Sequence, residues 1–273
     1  RLDSGKGAAV YLFKGSEVVD QVKDLKKQPA PNIAYGRKTD GSSEWGYQLT
    51  PTPAASNCGE TTDKILGDPV FSEPGRVAKG EMSVSLTLSM PEGTPEGAEI
   101  RYTTDGTEPT SYSILYSAPL TLTSTTIVRA KLFCSGWLSP RAVTQSYILF
   151  PRIVTLPVVS IATNNKYLTD PKLGIYVDGN YQSGKKNYEF NWRRPLNIEV
   201  FEGAGTTSVI NQLCEARVMG GATRGEQLKS LAVYANKRFG TKHFDYEFFP
   251  DQRPGVKSFK SFARSEERRV GKE

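Results

Sequence analysis

Residues capable of chemistry concentrate in the stretch GGATRGEQLK, where Gly220 and Gly221 precede Arg224 and Lys229. A lysine on a strand can contact the β- and γ-phosphates of a nucleotide, an arginine can assist it, and glycines allow the backbone to approach closely. The spacing is not that of the phosphate-binding pattern GxxxxGK[ST]. A structural ion pair or a solvated strand lysine remains the alternative for Lys229, and a solvated position is the alternative for Arg224.

The segments around these residues have the pattern of strands. Residues 195–202 alternate apolar and polar side chains, which predicts one half-buried strand. Residues 216–219 lead into the two glycines, and residues 228–235 have the pattern of a further strand. We therefore predict three strands with a glycine-bearing turn, and Lys229 at the start of the last one.

Four segments between residues 156 and 262 resemble the CotH (spore coat protein H) family of atypical protein kinases. They are LPVVSIATNNKYLTDPKLGIYVDG, RRPLNIEVFE, ARVMGGATRGEQLKSLAVYA and FDYEFFPD, in this order. The resemblance implies a truncated α+β kinase-like N-terminal lobe, a twisted sheet over which ATP sits. It implies nucleotide-binding roles for Lys229, Arg224, Gly220 and Gly221, and ATP with Mg²⁺ as cofactors of the full-length protein.

The resemblance places the catalytic and metal-holding carboxylates downstream of the matched region. Asp245, Glu247 and Asp251 fall in FDYEFFPD, which we interpret as packing onto the lobe, and no metal ligands are assigned. Residues 264–273, RSEERRVGKE, are interpreted as a translated sequencing adapter, so the natural gene is expected to continue past residue 263. We therefore expect a fragment with unknown catalytic residues, without phosphotransfer activity and without bound cofactor.

The segment 64–150 predicts a small β-sandwich. Its blocks YTTDGTEPT, LYSAPLTLTSTTIVRAKLF and SYIL resemble the chitobiase/beta-hexosaminidase C-terminal domain, a fibronectin-like module. The alternation of Val84, Leu86, Leu88 and Met90 predicts a single strand. A glycosidase needs two carboxylates flanking a cleft, whereas Asp105 and Glu108 share a tight turn. We interpret them as turn residues.

The first segment, residues 1–58, predicts two strands, AAVYLF and EVVDQVKD, with a turn at Gly15. The runs YGRKTDGSSEW and TPTPAASN resemble the C-terminal half of a bacterial lamin-tail domain, an Ig-like sandwich. The resemblance implies a partial sandwich that serves adhesion or tethering, with a passive spacer as the alternative. Trp45 and Tyr47 are interpreted as packing residues rather than sugar contacts.

The composition is that of a mainly β, multidomain protein of 273 residues. Its three cysteines, Cys58, Cys134 and Cys214, lie far apart, which supports neither a zinc site nor a disulfide framework and favours isolated buried residues. The single histidine, His243, is expected at the surface. The net charge is +6, with cations concentrated in the last third, where they could meet phosphates, nucleic acid or an anionic polymer. No nucleic-acid-binding motif accompanies them, so no nucleic-acid partner is predicted.

The sequence thus supports two functional hypotheses. The first is a secreted or cell-surface bacterial CotH-type kinase that transfers phosphate from ATP to protein hydroxyls, with the domain order 1–58, 64–150 and 156–263. The second is a non-catalytic surface adhesin or carbohydrate-associated scaffold with the same modules. A protein substrate or a surface polymer is the expected partner, and no transmembrane segment is expected in these residues because no apolar run reaches the ~20 residues that a membrane helix needs.

Overall fold

The computed structural model describes residues 8–26, 28–30, 33–57 and 59–264, and their regular secondary structure is mainly β. The chain divides into two compact units. The first comprises Arg1–Asp68, Met90–Glu99 and Leu132–Arg141, and the second comprises Pro69–Ser89, Ile100–Lys131 and Ala142–Glu273. The predicted domain boundaries stay predictions. Cys58 and residues 265–273 of the predicted adapter segment lie outside the described residues.

The first unit contains a hairpin and a three-stranded antiparallel sheet. Its strands are β1 (Ala8–Lys14), β2 (Glu17–Leu25), β3 (Tyr35–Arg37), β4 (Trp45–Gln48) and β5 (Thr61–Thr62). The β1–β2 hairpin turns where predicted, at Gly15, whose φ of +63° favours glycine. Strands β3, β4 and β5 pair in that order.

Aromatic packing organises the three-stranded sheet. The Tyr35 ring stacks on the Trp45 ring at 5.9 Å between centroids, and the Arg37 guanidinium lies 4.9 Å from the Trp45 ring. Tyr47 is buried and meets the Tyr35 ring edge-on. These contacts support the interpretation of Trp45 and Tyr47 as packing residues.

The second unit begins with a β-sandwich. Its strands are β6 (Val70–Phe71), β7 (Arg76–Val77), β8 (Val84–Leu86), β9 (Leu88–Ser89), β10 (Glu99–Thr103), β11 (Ile114–Leu115), β12 (Leu120–Leu122), β13 (Thr126–Phe133) and β14 (Val143–Ile148). One sheet has the order β11-β10-β13-β14-β7, with β7 parallel to β14, and the pairs β12-β8 and β6-β9 form two smaller sheets.

The single strand predicted from Val84 to Met90 was wrong. The chain changes sheets at Thr87, because β8 pairs with β12 whereas β9 pairs with β6. Thr87 is held at this change by Ser72, whose N–H donates to the Thr87 carbonyl and whose hydroxyl accepts from the Thr87 N–H, both at 2.9 Å. Met90 is therefore exposed instead of lying on the buried face.

A five-stranded antiparallel sheet completes the second unit. Its strands pair in chain order, with the short helix α1 (Lys166–Thr169) in the first connection. The strands are β15 (Val158–Ala162), β16 (Arg194–Phe201), β17 (Ile210–Val218), β18 (Leu231–Tyr234) and β19 (Ser261–Arg264). The last predicted strand begins at Leu231 rather than at residue 228, so Lys229 precedes it. Just before α1, the Asn164 side-chain oxygen accepts from the N–H of Lys166 at 3.0 Å.

Strand β16 is buried on both faces, so the half-buried strand predicted there was wrong. One face carries Leu196, Ile198 and Val200, which pack against Cys214 and Phe244. Phe244 is fully buried, which supports the interpretation of FDYEFFPD as a packing segment. Of the other two predicted buried cysteines, Cys134 is only half-buried, and Cys58 is not described.

The opposite face of β16 packs against the sandwich. Phe201 is fully buried with Val77 and Ile148, which belong to sandwich strands β7 and β14. Val77 also exchanges backbone hydrogen bonds with the β16–β17 connection, accepting from the Gly205 N–H at 2.6 Å and donating to the Thr206 carbonyl at 3.2 Å. This shared apolar cluster implies that the sandwich and the five-stranded sheet unfold together.

Two other predicted features can be placed. His243 is half-buried and its carbonyl accepts from the Gln212 amide at 3.3 Å, so the expectation of a surface histidine holds only in part. Among the described residues, no helix has the length and apolar character that crossing a membrane requires.

Replacing Phe201 with alanine tests the shared cluster. Because the ring is fully buried, we expect Phe201→Ala to lower the free energy of unfolding by about 3–5 kcal/mol. Denaturant unfolding followed by fluorescence and by circular dichroism should show the sandwich and the sheet losing structure in one shifted transition. Phe150→Ala is the control, because Phe150 is 42% exposed and its loss should change stability by only about 0.5 kcal/mol. Two separate transitions, with only the sheet affected, would contradict this view.

Candidate functional site

A cavity of about 330 Å³ lies on the five-stranded sheet. Strands β15 to β18 supply one wall through Ile161, Leu196, Ala216 and Leu231. The connection that contains α1 supplies the other wall through residues such as Leu168, Ile175 and Val177. The alternation of β16 turns its apolar side chains to this face, so the cavity is predominantly apolar. Such a cavity can hold a flat apolar or aromatic group.

Four polar side chains line the cavity, those of Thr163, Thr169, Tyr176 and Arg194. The Arg194 guanidinium donates to the Leu173 carbonyl at 2.7 Å and lies 4.7 Å from the Trp192 ring, and its partial burial lowers its pKa. The Tyr176 hydroxyl accepts from the Lys229 N–H at 2.7 Å and donates to the Lys229 carbonyl at 3.2 Å. Tyr176 therefore fixes the backbone of Lys229 beside the cavity.

The Lys229 side chain is nearly buried, with 9% of its surface exposed. Its ammonium donates to the carbonyls of Arg224 and Glu226, each at 2.8 Å. The ammonium also lies 4.2 Å from the centre of the Tyr188 ring. In the described part of the chain no carboxylate comes within ion-pair distance of it, so its direct contacts are carbonyl groups and aromatic rings. The carboxyl group of Asp178, whose pKa is lowered mainly by its hydrogen bond from Lys186, is near enough for the charge of Lys229 to lower that pKa further.

The two glycines have different local roles. Gly220 has a φ of +110°, and a Cβ there would lie 2.2 Å from the Thr223 hydroxyl oxygen. The turn therefore requires glycine at this position. A Cβ on Gly221 would meet nothing within 4 Å, which leaves the space above its backbone open.

Arg224 points away from the cavity. Its guanidinium donates to the carbonyls of Gly220 and Glu189, at 2.7 and 3.0 Å, and to the Asn191 side-chain oxygen at 3.4 Å. The structure thus brings Gly220, Gly221, Arg224 and Lys229 together in one loop, and none of the four lines the cavity. Their nucleotide-binding role stays a prediction.

Other charged residues singled out from the sequence have structural partners. The Asp105 carboxylate accepts from the N–H and the hydroxyl of Thr107, at 3.0 and 2.6 Å, as expected for a turn. These bonds, led by the hydroxyl, lower the pKa of Asp105. Glu108 pairs with Lys131 at 3.2 Å. Both carboxylates are thus engaged in local contacts of the sandwich.

Carboxylates of the FDYEFFPD segment also have local partners. Asp245 accepts from the Ser258 hydroxyl at 3.0 Å, and Glu247 accepts from the Gly255 N–H at 2.6 Å. Among the described residues, no group of three or more His, Cys, Asp or Glu side chains could hold a metal ion.

The sequence interpretation missed a buried carboxyl group, that of Glu199, which is 1% exposed. One of its oxygens accepts from the Ser146 N–H at 3.1 Å and from the Asn211 amide at 3.3 Å, and the other accepts from the Ser146 hydroxyl. The Ser146 hydroxyl also lies 2.8 Å from the Ser160 hydroxyl. Burial raises the pKa of Glu199 to about 7, and the bonds from Ser146 oppose this shift only in part.

This carboxyl group connects the sandwich to the sheet through hydrogen bonds. Ser146 belongs to β14, whereas Glu199 and Asn211 belong to β16 and β17. Asn211 also donates to the Thr144 carbonyl at 2.7 Å, and the Thr144 hydroxyl accepts from buried Arg129 at 3.2 Å. Alternation along RPLNIEVFE placed Glu199 on a solvent face. Two polar residues on the predicted sandwich strand, Thr144 and Ser146, are the signal that could have indicated a buried partner for Glu199.

Comparison with known proteins identifies the sandwich. The family model of the chitobiase/beta-hexosaminidase C-terminal domain matches residues 73–145, which run from just before β7 into β14. No curated protein and no solved structure matches the chain. The match confirms the predicted sandwich domain in this segment. The resemblances to the CotH and lamin-tail families stay predictions.

The buried carboxyl group of Glu199 should make stability depend on pH. The folded protein holds its proton up to about pH 7, whereas the unfolded chain releases it near 4.5. Stability from this group is therefore complete below pH 4.5 and is lost as pH rises to about 7, at up to ~1.4 kcal/mol per pH unit. Glu199→Gln keeps an oxygen for the Ser146 donors and cannot titrate.

We expect the difference in unfolding free energy between Glu199→Gln and the parent protein to change across this window and to become constant above it. Urea unfolding at half-unit pH steps measures the difference. Glu202→Gln is the control, because Glu202 is exposed at the end of the same strand. A difference that is constant from pH 4.5 to 7 would show that Glu199 is ionised throughout.

Proposed function

We propose that residues 156–263 form the nucleotide-binding lobe of a CotH-type protein kinase, which transfers phosphate from ATP to protein hydroxyls. The observation that carries the proposal is the position of Lys229. Among the described residues no carboxylate lies within ion-pair distance of its ammonium, and Tyr176 fixes its backbone beside an apolar cavity of about 330 Å³. An apolar cavity suits a base, and a cation next to it suits phosphates.

The electrostatics of Lys229 support this role. An ammonium that is nearly buried and contacts carbonyl groups and an aromatic ring is not neutralised in a direct ion pair, so its charge is available for an anion. Phosphate oxygens can replace the two carbonyl oxygens as acceptors, with a stronger, charge-assisted bond. The open space above Gly221 would admit a phosphate close to the backbone. Arg224 lies in the same loop and contributes its backbone carbonyl, which holds the Lys229 ammonium in place.

The residues present fit ATP better than they fit Mg²⁺. The cavity can take the base, and Lys229 can contact the phosphates. The described residues offer no cluster of acidic side chains for the metal, and the resemblance places those carboxylates downstream of this region. This chain's part in the reaction is therefore to bind and orient the nucleotide.

The modules ahead of the lobe support a surface location in the proposal. The matched chitobiase-type sandwich is rigidly joined to the sheet through Glu199 and Phe201, so it would orient the lobe. The lamin-tail-like first segment would tether or space it. We place the protein at the cell surface or outside the cell, with a protein substrate or a surface polymer as its partner.

The sandwich match also supports a second candidate, a non-catalytic adhesin or carbohydrate-associated scaffold. The matched family is named after carbohydrate-processing enzymes, and the fold can serve binding without catalysis. In that case the lobe would bind a surface ligand instead of a nucleotide. The two candidates differ in whether Lys229 meets the phosphates of ATP.

Labelling with an acyl-phosphate derivative of ATP tests the nucleotide proposal. This probe transfers its acyl group to an amine beside the bound phosphates and releases ATP, and mass spectrometry locates the modified lysine. We expect Lys229 to be labelled and excess ATP to protect it. Lys229→Met should weaken ATP binding roughly tenfold or more, because it removes a charged hydrogen bond.

Lys237→Met is the matched control, because it removes the same charge from an exposed position of the same region. It should leave ATP binding unchanged. Labelling of Lys229 that excess ATP does not reduce, or equal ATP affinity of both variants, would favour the scaffold over the kinase.

A further inference from the structure

Four arginines gather at one edge of the five-stranded sheet, on the face opposite the cavity. Arg193 and Arg217 lie over the Tyr234 ring of β18, Arg224 shares the Asn191 oxygen with Arg217, and Arg238 shares the Glu215 carboxylate with Arg193. We call this group the arginine cluster. From the sequence, these arginines were visible only as part of the excess of positive charge in the last third of the chain.

Two of these arginines converge on a neutral atom. Arg217 donates to the Asn191 side-chain oxygen at 3.1 Å and to the Tyr234 hydroxyl at 2.9 Å. Arg224 donates to the same Asn191 oxygen at 3.4 Å. Within the described residues, neither guanidinium has a carboxylate at ion-pair distance. Two positive charges therefore point at one amide oxygen that neutralises neither.

The only carboxylate that pairs with the cluster, among the described residues, is already saturated. Glu215 is 3% exposed and binds Arg238 at 2.8 Å, Arg193 at 3.4 Å and the Asn236 amide at 3.0 Å. Arg193 in addition lies over the Tyr234 ring, 3.9 Å from its centre. Four guanidiniums against one carboxylate leave three positive charges at this edge.

We propose that the arginine cluster is a binding site for a phosphate monoester, and that the Asn191 oxygen occupies the position of one phosphate oxygen. A carboxylate is planar and one guanidinium fork satisfies it, whereas a tetrahedral phosphate presents oxygens to forks that approach from different directions. Its double negative charge matches Arg217 and Arg224, the two guanidiniums that meet a neutral oxygen. Asn191 is exposed and can turn away when the ligand enters.

This site is separate from the proposed nucleotide site. The Lys229 ammonium contacts Arg224 only through its backbone carbonyl, and it lies on the side of Tyr176 and Tyr188. The Arg224 guanidinium faces Asn191 and Arg217. Because Arg224 borders both sites, it is not a suitable test variant. Arg217 belongs to the arginine cluster alone.

The side-chain Nε–Hε signals of the arginines report binding directly in nitrogen–proton correlation spectra. We expect inorganic phosphate at pH 7.5 to shift the signals of Arg217 and Arg224 to saturation. Arg217→Gln should weaken the affinity at least tenfold, and Arg217→Lys should also weaken it, since lysine keeps the charge but loses the fork. Circular dichroism verifies that both variants fold.

Arg141→Gln is the control, because Arg141 sits in an exposed ion pair with Asp68 and should leave phosphate binding unchanged. A phosphoserine peptide tested beside inorganic phosphate identifies the source. If the phosphoserine peptide binds at least tenfold more tightly than both its unphosphorylated form and free phosphate, the site takes a phosphorylated segment. If the phosphoserine peptide and free phosphate bind with equal affinity, the site takes free phosphate.

Shifts that stay linear in phosphate concentration, or acetate that binds as tightly as phosphate, would overturn the proposal. Failure of the nucleotide proposal would give a different experimental result. Lys229→Met would then bind ATP like the parent protein, while the phosphate titration of Arg217 would be unaffected in either case.

Discussion

The buried carboxyl group of Glu199 is the constraint on which the second unit depends. A carboxyl group removed from water is tolerated only where donors surround it, and here Ser146 and Asn211 provide them. These donors sit on strands of both the sandwich and the five-stranded sheet, so the contact fixes how the two pack. Phe201 with Val77 and Ile148 adds the apolar part of the same contact. The sheet therefore cannot shift against the sandwich without exposing or orphaning this group.

Several strands and turns of both units could be predicted from local pattern. Residues 195–202, the turn at Gly220 and the hairpin at Gly15 follow from alternation and from glycine's access to positive φ. The burial of both faces of β16 could not, because Ser146 lies 53 residues from Glu199 in the chain. Alternation reports which side chains share a face. It does not report what covers that face.

At the candidate site, the sequence likewise could not predict which charged side chains form ion pairs. The sequence located the cations of the last third but could not separate those in ion pairs from those without. Arg193 and Arg238 share Glu215, whereas Lys229 and Arg217 donate only to neutral acceptors among the described residues. For Lys229, the neutral environment arises from the turn at residues 219–230, because the ammonium donates to the Arg224 and Glu226 carbonyls of that turn. It is a property of backbone geometry that composition does not encode.

Neutral acceptors around a cation have a functional consequence. A carboxylate partner would have to be displaced before an anion could bind, at a cost of the full ion-pair attraction, whereas a carbonyl or amide oxygen gives way at a cost of about one neutral hydrogen bond. In both proposed anion sites of the five-stranded sheet, that of Lys229 and that of the pair Arg217–Arg224, no cation therefore has to leave an ion pair before an anion binds. Because Glu199 and Phe201 hold that sheet against the sandwich, both positions are presented on a rigid support, and rigid support reduces the ordering cost of binding.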